Sequence, residues 1–278
     1  MEALVRLGTF LGVLTAMLLW EWGHPRRVLT RPRRERWMTN LGLTILNTAL
    51  VRVTVGGAAY AAAVFAADQG VGLLHWQPLP PWAAAAVTLL VLDFAIYLQH
   101  VLFHAVPLLW RLHRVHHADL DFDATTGLRF HPLEILLSLG YKAAVVVLLG
   151  AVPWAVIAFE VLLNAASVFN HGNVALPERF DRWLRRVIVT PDMHRVHHSM
   201  RVVETNSNFG FAVSWWDRLC GTYRAQPALG HVGMEIGLSE YRLPLHLGQL
   251  CLLPFRGSAG PYTYAGSRPE RLQEKGTV

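Results

Sequence analysis

Charge and cysteine are both scarce in this chain. Of its 278 residues 16% are charged and 53% are hydrophobic, and the mean hydropathy is positive at +0.31. Average soluble domains are about a quarter charged, so an ordinary soluble fold is excluded, and long apolar runs point to a bilayer in place of part of a core. Only Cys220 and Cys251 are present, with no C-x-x-C, which excludes a disulfide framework and leaves the redox compartment unset. No H-E-x-x-H occurs, so a zinc protease of that type lacks its general base. There is no flavin or nicotinamide fingerprint, and the two His-Pro pairs, His24-Pro25 and His131-Pro132, are not in a haem-binding glycine context. The net charge of +6 could suggest nucleic acid, but no aromatic-interleaved basic strand or recognition-helix pattern accompanies it.

The arginines instead report on topology. Arg26, Arg27, Arg31, Arg33, Arg34 and Arg36 crowd one stretch after a first apolar run, Leu7 to Trp20, which lacks a small-residue cleavage pattern and reads as a retained anchor. A second span is expected over 40–67, followed by a connection, 68–81, without Lys or Arg. The positive-inside bias puts the arginine loop on the cytoplasmic side and 68–81 outside. A third span runs inward from Trp82. Residues 134–170 are apolar enough for two crossings, and Gly150 with Pro153 supplies a break, so a helical hairpin is expected. Arg179, Arg182, Arg185 and Arg186 form an amphipathic stretch suited to the membrane interface. The fold class is therefore all-α: an integral membrane bundle of about four spans under a cytoplasmic helical cap. Three regions are expected, 1–81 as an N-terminal transmembrane region, 82–225 as the catalytic domain and 226–278 as a cytoplasmic tail, unconstrained after Arg268.

What is abundant is histidine in a repeated spacing. His113-Arg114-Val115-His116-His117 and His194-Arg195-Val196-His197-His198 are the same pentapeptide, and His100 and His104 precede the first copy. Residues at i, i+3 and i+4 share a helix face, so each copy gathers three imidazoles toward one point. Imidazole suits iron, zinc, copper or nickel. Eight histidines are too many for one ion and about right for two. A nitrogen-rich di-metal pocket at the inner edge of a bilayer suits oxygen activation, with a route in for an alkyl chain from the lipid. Asp93 and Tyr97 share one helical face with His100 and His104 and are the candidate catalytic residues, Asp93 as a carboxylate that orients an imidazole.

The segments Asp93 to His104 (DFAIYLQHVLFH), His113 to His117, Thr125 to Glu134 (TTGLRFHPLE), His171 to Asn173 (HGN), His194 to His198 and Asn208 to Tyr223 (NFGFAVSWWDRLCGTY) together resemble the fatty acid hydroxylase/sterol desaturase superfamily. The resemblance covers roughly half the chain, and its three histidine boxes are specific in combination. It implies a membrane-embedded non-haem di-iron enzyme that uses O2 and two electrons to hydroxylate or desaturate a lipid. The box histidines, His100, His104, His113, His116, His117, His194, His197 and His198, would be iron ligands, and His171 is similar to the extra ligand between the second and third boxes. Val101 stands where family members often have Arg. Electrons would come from a separate ferredoxin, b-type cytochrome or reductase.

His131, Asn173 and Asp217 are further candidates for the metal pocket or its surroundings, and Trp215-Trp216-Asp217 for closing the cap over it. His24, His75, His231 and His246 stand alone and read as surface histidines. Arg52 and Lys142 read as snorkelling bases, and Glu160 with Asn164 as a possible cavity wall. The rival reading is a histidine-rich metal-binding or metal-transport protein, whose site belongs near the bilayer midplane on broken helices. A zinc-dependent membrane hydrolase would need a nucleophile or base that is not identifiable.

Overall fold

The computed structural model describes residues 2–54 and 57–263. Among them the only regular elements are helices, with three isolated β-bridges. In chain order the elements that build the site are α1 (Glu2–Gly23), α2 (Arg33–Thr54), α3 (Ala58–Gln69), α4 (Leu73–Trp76), α5 (Pro81–Ala105), α6 (Pro107–His117), α7 (Pro132–Leu149), α8 (Pro153–Asn170), α9 (Glu178–Leu184) and α10 (Pro191–His197). Five of these, α5, α6, α7, α8 and α10, open on proline, whose fixed φ suits the first helical turn and whose missing N–H costs nothing there.

Five segments among the described residues are long and apolar enough to cross a membrane: Leu4–Gly23, Arg33–Trp76, Pro81–Ala105, Pro132–Leu149 and Pro153–Asn170. Leu11, Leu19, Ile45, Leu90, Leu137, Leu148 and Leu162 stay exposed on them, the surface that lipid covers in a multi-pass membrane protein. The hairpin forms as the Gly150 and Pro153 break predicts. Gly150 closes α7 in the left-handed region at φ 67°, and α8 starts directly after it. A Cβ at Gly72 would lie 2.2 Å from the Gly150 nitrogen, so the turn after α3 packs backbone to backbone against the hairpin tip. Ala59 and Ala63 of α3 pack with Val146, Leu149 and Phe159 of the hairpin, small residues that let the helices approach closely.

Two expectations change. The second apolar stretch is longer than 40–67: it is the segment Arg33–Trp76, carried by α2, α3 and α4, with Gly57 at φ 75° ahead of α3, and α2 begins inside the arginine loop. Lys142 does not snorkel. It is buried and ion-paired with Glu160 across the hairpin, and Arg6 of α1 reaches the same carboxylate at 2.5 Å. Glu160 therefore neutralises charge between helices and does not line a cavity. Arg52 is exposed.

The part beyond the spans is held by charge as well as by packing. Arg36 of α2 is buried and donates to Asp119 at 2.7 and 2.9 Å and to Asp123 at 2.5 Å. Burial alone would raise the Asp119 pKa, but the forked contact with Arg36, with help from Arg129 and Thr126, outweighs it and holds that carboxyl well below the usual range. Residues 226–263 contribute Leu238, Leu250, Leu253 and Tyr262 to the same cluster as Leu43, Trp110 and Val115. The rest of the expected tail, including everything after Arg268, lies outside the described residues.

Candidate metal centre

Nine histidines come together in two adjoining groups. His100, His104, His113, His117 and His197 form one, and His116, His171, His194 and His198 the other; one ligand atom from each lies within 4.8 Å of the rest of its group. All nine are buried. The two pentapeptides divide between the groups in opposite ways. In α6 the first and last histidines, His113 and His117, serve the five-membered group and His116 crosses to the other. At α10, His194 and His198 serve the four-membered group and His197 crosses. On a helix, i and i+4 lie nearly in line while i+3 sits to the side, so two such turns facing each other satisfy two centres at once.

Six of the nine rings are oriented from their outer nitrogen. His100 Nδ1 lies 2.9 Å from the Phe209 carbonyl, His104 Nδ1 3.1 Å from Asn206 Oδ1, and His113 Nδ1 2.6 Å from Glu134 Oε1. His116 Nδ1 lies 3.2 Å from the Arg129 carbonyl, His171 Nδ1 2.7 Å from that of Ser167, and His197 Nδ1 2.8 Å from that of Ser207. These oxygens only accept, so Nδ1 carries the proton and Nε2 presents a lone pair inward. Burial, followed by the neighbouring imidazoles, pushes His116, His117, His197 and His198 well below the ordinary histidine pKa. His171 falls to about 4, again chiefly through burial. Burial thus favours the neutral, metal-binding form of these five rings.

That tautomer makes the inner geometry informative. His100 and His113 face each other Nε2 to Nε2 at 3.1 Å, His171 faces His116 at 3.1 Å and His198 at 3.2 Å, and His194 faces His171 at 3.1 Å. In the His100–His113 and His171–His116 contacts the outer partners put a lone pair on both nitrogens, and at that distance two lone pairs repel. The same spacing is what nitrogens share when they bind one cation at right angles with bonds of about 2.1 Å. Nε2 of His104, His117 and His197 is buried with no hydrogen-bond partner. The donor set thus fits metal in both groups, and the surrounding carbonyls, amide and carboxylate are the partners that metal-binding histidines require.

The other expected site residues stand around the groups and not in them. Asp93 does not orient an imidazole; it accepts from the backbone N–H of Ala212 at 3.2 Å and Val213 at 3.1 Å and from Trp216 Nε1 at 2.8 Å. It fixes the loop whose Phe209 carbonyl holds His100, so it reaches the ring through the backbone. Tyr97 shares a hydrogen bond with Thr222 Oγ1 at 3.0 Å. Asp217 accepts from the Phe209 and Gly210 N–H groups at 2.7 and 2.8 Å, and burial pushes its carboxyl up. Asn173 brackets Arg27 by backbone contacts at 3.1 and 2.8 Å and ties the loop after α1 to the end of α8. His131 caps α7 through Leu133 N–H and contacts the Cys251 carbonyl at 3.0 Å, outside both groups. His231 is buried with Nε2 3.5 Å from Asp192, whereas His24, His75 and His246 are exposed as expected. Glu134 was missed. A carboxylate in the first turn of an apolar helix needs a partner, and that was its signal.

Buried imidazole groups with inward lone pairs, at one end of a bundle of membrane-spanning helices, define a metal-binding membrane protein. Residues 85–222 match the fatty acid hydroxylase family model, and the chain belongs to that family. It is 29% identical to ornithine lipid hydroxylase OlsE of Rhizobium tropici, over 87% of this chain and 74% of that protein. It is 25% identical to human alkylglycerol monooxygenase, over 55% of this chain and 33% of that protein. With human cholesterol 25-hydroxylase the identity is 30%, over 55% of this chain and 60% of that protein. The chain thus spans about a third of one of these relatives and more than half of the others. No solved structure matches.

Proposed function

We propose that the chain is a di-iron lipid hydroxylase that uses O2 and two electrons to oxidise an unactivated C–H bond of a membrane lipid. The observation that carries this reading is the pairing of two all-imidazole groups whose Nε2 atoms face each other at 3.1–3.2 Å. His100, His104, His113, His117 and His197 would hold one ion and His116, His171, His194 and His198 the other. Iron held there would accept the donor's two electrons and supply the O2-binding chemistry that C–H oxidation requires. Iron is preferred over zinc because oxidation of a C–H bond needs a redox-active metal, which zinc is not, and the three relatives are named as hydroxylases or monooxygenases. Their names also favour hydroxylation over desaturation.

The protein's own residues prepare the pocket. Carbonyls, Asn206 and Glu134 hold six of the rings by their outer nitrogens and so aim them at the pocket. Trp110, Phe122 and Phe209 are fully buried beside the imidazoles and exclude water from them. The substrate is a lipid that keeps its head at the interface and sends a chain to the pocket. The arginine bias puts the site on the cytoplasmic side, where a separate ferredoxin, b-type cytochrome or reductase delivers electrons.

The test is metal quantification on protein purified after iron-replete growth, with lipidomics of a host expressing the wild type or a His116→Ala, His197→Ala double variant. About two irons per chain and a hydroxylated lipid found only with the wild type are expected. One zinc, no iron and unchanged lipids would sink the reading.

A further inference from the structure

Six rings other than histidine pack on the nine imidazoles among the described residues: Phe103, Trp110, Phe122, Phe130, Phe209 and Phe211. Four of them are buried, while Phe130 and Phe211 are partly exposed. These two share a second property. Phe211 lies 6.4 Å from His100 of the five-membered group and 6.4 Å from His194 of the four-membered group. Phe130 stacks on His116 at 4.6 Å and 8° and lies 6.4 Å from His113. Each therefore touches one imidazole of each group, at the seam where an atom would meet both.

Both phenylalanines are held from membrane-spanning helices. The Phe130 carbonyl accepts from Asn47 Nδ2 of α2 at 2.9 Å, and the Phe211 carbonyl accepts from Asn170 Nδ2, the last residue of α8, at 2.5 Å. The two residues after Phe211 donate their N–H groups to Asp93, near the middle of α5. This loop thus lies alongside a span. The neighbouring surface is apolar and open: Leu133 and Leu137 on the first turns of α7, Leu98 and Leu102 on α5, and Trp215 beyond the loop are all exposed. A buried polar amide, Asn47 or Asn170, fixes the backbone at each of the two rings.

We propose that Phe130 and Phe211 form the lipid-facing entrance of the pocket and set which carbon of an incoming chain reaches the two groups. An alkyl chain that reaches the two groups from the lipid meets these partly exposed rings before the buried imidazoles. Their faces give it apolar contact and their bulk limits how far it can slide. This rests on the lipid-hydroxylase reading for the word substrate, but the exposure of the rings to lipid does not.

The experiment has two arms. In a Cys220→Ser, Cys251→Ser background, Phe130→Cys and Phe211→Cys are each labelled with bimane and placed in phosphatidylcholine nanodiscs. Phosphatidylcholine with a doxyl group high on its acyl chain should remove most of the fluorescence at both positions, and aqueous iodide little. Strong iodide quenching without doxyl quenching would overturn the entrance. In the second arm, Phe130→Ala and Phe211→Ala should keep the wild-type iron content while the hydroxyl spreads to neighbouring carbons of the host lipids, discrimination between adjacent positions falling about tenfold. Phe→Leu should restore part of it. An unchanged hydroxyl position in both alanine variants, with full iron, would overturn the specificity role. An iron-free wild type without product would instead refute the hydroxylase reading, and the quenching arm would still decide the entrance.

Discussion

In the first HRVHH copy the outer histidines, His113 and His117, serve the five-membered group and His116 crosses over, whereas in the second His194 and His198 serve the four-membered group and His197 crosses. The supporting residues differ as well. Arg114 donates to the carbonyls of Leu253, Arg256 and Ser258 and so holds the C-terminal segment against α6. Arg195 is fully buried, pairs with Asp192 and donates to the Gly172 carbonyl beside His171. The additional histidines are unequal too, His100 and His104 from α5 for one group and His171 alone for the other. Identical pentapeptides thus occupy non-equivalent places, and the local spacing fixes only that each spans both groups.

The largest effect should come from a condition that strikes both copies together. The pKa of His171 is about 4 in the folded protein against about 6.5 in an unfolded chain, and those of His116, His117, His194, His197 and His198 are lowered in the same direction. The unfolded chain binds more protons in that window, so stability falls as pH drops below about 6.5 and is fully present above it. Metal-free protein titrated from pH 7.5 to 5 should lose its thermal transition progressively; bound metal should delay the loss. A transition that is flat across this range would mean that the imidazoles are not buried neutral.

Single substitutions separate the copies. His116→Ala leaves three ligands in the four-membered group and His197→Ala leaves four in the other, so the first should lose about half the bound metal while the second retains more of it, read by elemental analysis after dialysis. Equal losses would contradict the unequal groups. Arg195→Met should cost about 3 kcal/mol in thermal or denaturant unfolding, the low end for a broken buried pair, because Asp192 loses its buried partner but keeps Arg26 at 3.1 Å. Arg114→Met strands only carbonyls and should cost about 1–3 kcal/mol. The smallest effect concerns the leading histidines. Glu134→Gln should weaken metal retention about 10- to 100-fold through His113, and no carboxylate is hydrogen-bonded to His194 among the described residues, so its copy has no counterpart to this variant.

Much of the site could be read from spacing because ligands at i, i+3 and i+4 need nothing beyond one helical turn. The proline starts and the Gly150 break were legible for the same reason. What spacing could not carry was long-range pairing. Which group His116 or His197 joins depends on how α6 and α10 face each other. Asp93 was expected to serve a ring on its own helix face, yet its donors, Ala212, Val213 and Trp216, come from a loop far along the chain. Lys142 was read as a lone base near a helix end because its partner, Glu160, lies on the next helix. His231 had no periodic neighbour to mark it as buried.

The ion pair between Lys142 and Glu160 has a consequence for how the protein is made. Lys142 leaves the ribosome on α7 before Glu160 exists on α8, and an ammonium alone in hydrocarbon costs about 2.5–3.5 kcal/mol at the least. The two helices therefore gain by entering the bilayer as one hairpin, each carrying the other's counter-charge. Gly150 and Pro153 let the chain fold back as soon as α8 has been synthesised. A ribosome paused between them would leave α7 waiting at the translocon.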